Sequence, residues 1–66
     1  MKRDGSAYKP KDGVVFVNAS KGLEVFIYER GEYYVLESWI HNLIDERRVT
    51  KDEDQALAYA GELIKD

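Results

Sequence analysis

The sequence predicts an α+β fold: a small antiparallel sheet of three strands, or four, with one C-terminal helix packed on one face. Three observations carry this expectation. Residues 23–30 (LEVFIYER) and 32–40 (EYYVLESWI) are runs of β-branched and aromatic residues on either side of Gly31, the pattern of a hairpin. Residues 52–65 (DEDQALAYAGELIK) place Ala56, Leu57, Ala60, Leu63 and Ile64 on one stripe at helical spacing. A chain of 66 residues has room for a single core.

From Met1 to Gly13 aliphatic residues are few, and Gly5, Ser6, Pro10, Asp12 and Gly13 punctuate the chain. Residues 1–13 therefore read as an irregular lead-in, and 14–66 as the domain. Val14-Val15-Phe16-Val17 is a run of β-formers closed by the turn-rich Asn18-Ala19-Ser20-Lys21-Gly22, so a short strand is expected over 14–18. In the hairpin that follows, an Arg30-Gly31 loop would set Tyr28 opposite Tyr33 and Phe26 opposite Val35. A bulged turn at Gly31 would slip that register by one. Residues 39–49 (WIHNLIDERRV) are ambiguous. Trp39, Ile40, Leu43 and Ile44 recur at helical spacing, whereas Leu43, Asp45, Arg47 and Val49 alternate after a His41-Asn42 turn. The alternation favours a third hairpin-connected strand around 43–49. Thr50-Lys51-Asp52-Glu53 matches a capping box, with Asp52 and Gln55 offering a second box two residues later. Asp52, Glu53 and Asp54 sit where a helix dipole favours anions, and Gly61 is read as a point of close approach to the sheet.

Side-chain alternation divides the hairpin into two apolar faces. Val25, Ile27 and Leu36 suit the small aliphatic stripe of the helix. Phe26, Tyr28, Tyr33, Val35 and Trp39 fall on the other face, which one helix cannot also cover. A solvated antiparallel sheet alternates apolar with polar residues instead, and aromatics burying about 150–250 Å² each would form an unusually large exposed patch. The lead-in, with Tyr8 and Phe16, could fold over that patch. A second copy could pack on it as a homodimer, or a partner could use its aromatics as anchors.

Charge narrows the partner. Residues 1–11 carry Lys2, Arg3, Lys9 and Lys11 against Asp4, a balance of +3; the remaining six cations and twelve anions give a body of −6, for −3 overall. An acidic body suits a basic protein partner better than duplex DNA, whose backbone demands several cationic contacts. Glu24, Glu32 and Glu37 then read as a charged rim around the aromatic anchors. The alternative of nucleic-acid binding rests on Lys2, Arg3, Lys9 and Lys11 of the arm together with Arg47 and Arg48. Catalysis and cofactors are not expected. The chain has no cysteine and one histidine, which leaves no thiolate or imidazole cluster for a metal, and no oxyanion hole accompanies His41 and Asp45. His41 reads as a surface or turn residue. Scattered glycines form no phosphate loop. No apolar run reaches the roughly 20 residues of a membrane span and no signal-peptide core follows Met1, so a cytoplasmic protein is expected.

From Gly31 onward, the strand Gly31, Tyr33, Tyr34, Val35 and the helix entry Asp52 to Ala56 (DEDQA) resemble HicB-type antitoxins, in which a Gly-x-Tyr/Trp-Val strand precedes a Thr-x-Glu-Glu-Ala helix. The Pro-Gly-Cys segment typical between them is replaced here by WIHNLIDERRV. The stretch RVTKDEDQA also resembles the helix entry of the AP2-like arm domain of phage integrases, a basic family where this chain is acidic. These resemblances cover about half the chain and imply a sheet-then-helix order. With the acidic body they imply a small non-catalytic regulator, phage- or toxin–antitoxin-related, that binds a basic partner or itself.

Overall fold

A computed structural model describes residues 9–66. Strands β1 (Val14–Asn18), β2 (Leu23–Arg30), β3 (Tyr33–Ile40) and β4 (Leu43–Thr50) form an antiparallel meander in the order β1-β2-β3-β4, followed by helix α1 (Glu53–Ile64). Sequence-adjacent strands are spatial neighbours throughout, so the two strands with apolar residues on both faces, β2 and β3, occupy the middle. The 43–49 segment is a strand, entered through His41 and Asn42 with φ of 51° and 67°. Positive φ at both loop positions is the twist that joins antiparallel strands in two residues. It ends the helical alternative for 39–49.

The hairpin register differs from both expected ones. Arg30 pairs with Tyr33, Ile27 with Leu36 and Tyr28 with Val35, so the loop is Gly31-Glu32. Gly31 has a φ of +64°. A glycine at the first loop position supplies this angle without strain, and arginine there would not. The two-residue shift conserves parity, so the division into faces stands.

On one face Leu23, Val25, Ile27 and Leu36 pack against Ala56 and Ala60, flanked by Phe16, Tyr34, Tyr59, Leu63 and Ile64. Alanine brings the helix backbone close to the sheet, and the aliphatic strand residues fill the gap. Phe16 belongs to this side, opposite Val25, so it does not fold over the other face. Gly61 has nothing within 4 Å of where a Cβ would stand, so it is not a point of close approach. The helix begins two residues later than the first capping box implies, at the N-cap of the second. Asp52 is the N-cap, its carboxylate accepting from the Asp54 amide at 2.9 Å. Thr50 ends β4, where its hydroxyl accepts from the Asp52 amide and donates to Gln55, both at 3.1 Å. The last helical carbonyl, of Ile64, accepts from Asn18 Nδ2 at 2.6 Å, which ties the end of β1 to the end of α1.

Candidate functional site in the open sheet face

The face of the sheet away from α1 carries Phe26, Tyr28, Tyr33 and Trp39. Its central row runs from Trp39 through Glu37 to Val35 on β3, with Glu24, Phe26 and Tyr28 opposite on β2. Trp39, Val35 and Phe26 are 1 %, 2 % and 9 % exposed. The expected large aromatic patch is therefore not an open surface. Only Tyr28, half-buried, and Tyr33, exposed at the strand end, reach solvent. Trp39 meets Phe26 edge-on with ring centroids 6.4 Å apart, and aromatic pairs favour this geometry.

Glu37 is also displaced from its expected role. Strand alternation puts it in line with Val35 and Trp39, in the middle of the face and not on its rim, and it is 8 % exposed. Its carboxylate is satisfied there. Tyr28 donates to Oε2 at 2.7 Å, the Trp39 indole donates to Oε1 at 3.0 Å, and Arg47 Nε lies 3.9 Å from Oε2. Burial, then the hydrogen bond to Glu37, raises the Tyr28 phenol above its ordinary pKa. Of the other two expected rim carboxylates, Glu24 is half-buried on this face, and Glu32 lies exposed in the β2–β3 loop.

Residues 9–12 of the lead-in lie against this face. Gly13, with φ +96°, turns the chain so closely against β2 that a Cβ would stand 2.0 Å from the Ile27 carbonyl oxygen. Before that turn, Lys9, Pro10, Lys11 and Asp12 line a shallow cavity of about 270 Å³ with Tyr28 and Glu37. The Lys9 ammonium donates to Glu24 Oε1 at 2.5 Å and to Asn42 Oδ1 at 2.6 Å, and lies 5.8 Å from the centre of the Trp39 ring. A carboxylate, an amide oxygen and an aromatic face converging on one ammonium are the elements of a cation site. Lys2, Arg3 and Tyr8 lie outside the described residues.

Arg47 and Arg48, two cations of the nucleic-acid alternative, do not share a face. Arg47 projects to the open face beside Glu37. Arg48, its neighbour in the strand, projects to the helix side, 2.8 Å from Glu46 and 4.0 Å over the Tyr59 ring. Opposite faces are what strand alternation imposes on adjacent residues. Tyr59 also donates to Glu46 at 2.9 Å, and this bond, with that of Arg48, holds the Glu46 carboxyl below its ordinary pKa. His41 sits in the β3–β4 turn with its amide donating to the Gly22 carbonyl at 2.8 Å. Among the described residues no cluster of three or more His, Asp or Glu is placed to hold a metal, and no helix is long and apolar enough to cross a membrane.

The alternation of β3 shows which face Glu37 takes but not that it lies at the centre of that face, and the Lys9 site has no local signal, since it joins residues 9, 24, 39 and 42 through the fold alone. No family model, curated protein or solved structure matches the chain.

Proposed function

We propose that this chain is a non-catalytic protein-interaction module that receives a basic, extended segment of a partner on the open face of its sheet. The observation that supports the reading is the Lys9 ammonium between Glu24, Asn42 and Trp39. The chain's own lysine occupies the place that a partner's lysine would take, and the acidic body draws such a partner in. A regulator that neutralises a basic partner, phage- or toxin–antitoxin-related, fits the same chemistry. Its support is the sheet-then-helix order together with the balance of charge.

Trp39, the single tryptophan, provides the readout. Titrating the protein with a short lysine-rich peptide is expected to change Trp39 emission, and the same peptide with acetylated lysines is expected to bind at least tenfold more weakly. Lys9→Ala empties the site and tightens peptide binding; Glu24→Gln weakens it. Equal affinity for the charged and acetylated peptides would refute the reading. Binding of a single-stranded oligonucleotide in place of the peptide, lost as salt rises, would instead favour the nucleic-acid alternative.

A further inference from the structure

We propose that β4 is the seam at which two copies of this chain join into one continuous eight-stranded sheet. Each edge of the meander leaves backbone N–H and C=O groups unpaired, and such edges invite a further strand. The two edges are not equivalent. β1 has five residues, VVFVN, with no charge to fix a register, and its last residue is held to the end of α1. β4 has eight residues, LIDERRVT, with Leu43, Ile44 and Val49 exposed at 71 %, 42 % and 57 %.

Charges on an edge strand usually repel a second strand, but those on β4 are ordered to complement their own antiparallel copy. A twofold axis through Arg47, perpendicular to the sheet, sets residues of the same face opposite one another. Glu46 then faces Arg48 of the second copy, and Arg48 faces its Glu46, both on the helix side. β4 carries one residue, Asp45, in excess of β3 between the pairs Trp39↔Ile44 and Ser38↔Glu46. This bulge brings Ile44, in place of Asp45, opposite Val49 of the second copy on the open face, and Leu43 opposite Thr50 on the helix side. The two Arg47 side chains meet at the axis, each with its own Glu37 at 3.9 Å. The row therefore reads anion, cation, cation, anion. The seam leaves the Lys9 site free, because Glu24 and Asn42 do not belong to β4.

A seam of one strand pair falls at the small end of stable interfaces, so the association is reversible and concentration-dependent. Light scattering across micromolar to millimolar protein is expected to show the mass rising from 7.6 kDa toward twice that value. Arg48→Glu leaves two anions at the paired positions 46 and 48 of each strand and Glu46→Arg leaves two cations there; each variant alone stays at the single-chain mass. Mixed in equal amounts they regain the doubled mass, because each Glu pair then meets an Arg pair across the seam. The mixture does not repair the Glu46–Arg48 contact within either chain, so recovery reports the seam and not the fold. Val49→Glu, at an exposed position, keeps the chain folded by circular dichroism and abolishes the association. A wild-type mass that never rises, or a mixture that stays at the single-chain mass, overturns the proposal.

Discussion

Replacing Glu37 tests how the open face is held together. In Glu37→Ala the Trp39 indole, on a residue 1 % exposed, loses its acceptor. A buried donor without a partner costs about 1–3 kcal/mol. Tyr28 loses a bond of 2.7 Å but is half-buried and turns toward water, so its share is smaller. Arg47 is about half exposed and 3.9 Å from the carboxylate, and its pairing is worth under about 1 kcal/mol. The sum is about 2–4 kcal/mol. In a domain of this length each kcal/mol moves Tm by about 4–8 °C, so Glu37→Ala is expected to melt about 8–32 °C below wild type. Glu37→Gln keeps one amide oxygen for the indole and lets the Tyr28 hydroxyl accept from its amide, so its loss is about 1 kcal/mol. Urea unfolding followed by Trp39 emission, with thermal melts by circular dichroism, gives both values. If Glu37→Gln destabilises as much as Glu37→Ala, or if Glu37→Ala melts within about 4 °C of wild type, the carboxylate does not organise this face.

Two glycines give opposite outcomes. Gly61→Ala, inside α1 with open space around it, raises stability by up to about 1 kcal/mol in thermal melts, whereas Gly13→Ala lowers it by about 1–3 kcal/mol through strain at φ +96° and displacement of β2. Acid weakens the contact between α1 and β4. Glu46 has its folded-state pKa held below its ordinary value of 4.5, first by Tyr59 and then by Arg48, so its stabilising contribution is full above 4.5 and is lost as pH falls through the depressed value. Glu46→Gln is expected to flatten the stability–pH curve in that window, measured by urea unfolding at successive pH values; an unchanged slope would refute the assignment.

The elements were legible in the sequence because each rests on local chemistry. The β-formers of 14–18, 23–30 and 33–40, the alternation after His41-Asn42 and the stripe from Ala56 to Ile64 all predict what forms. The division of the central hairpin into faces was legible for the same reason, since parity survives a two-residue change of register. The register itself was not, because Arg30-Gly31 and Gly31-Glu32 differ only in which loop position the glycine fills. The burial of the open face is not legible in the sequence, for a reason of topology. Whether Glu37 is a rim or a centre depends on which strands flank β3, and whether Trp39 is bare depends on where residues 9–12 run before the Gly13 turn. Neither is encoded near the residue concerned.

The bonds from the β1 turn to the end of α1 bear on how the chain folds. Each strand of the meander pairs with its neighbour in sequence, so the hairpins close short loops and form quickly. A stack of local hairpins can also open one leaf at a time. Asn18 bonding to Ile64 and Asp66, with Lys21 bonding to the carbonyls of Leu63 and Lys65, joins the first leaf to the last element across more than forty residues. Fraying of the helix end then loosens β1, and fraying of β1 releases the helix. That reciprocal dependence turns a row of separable hairpins into a unit that unfolds together.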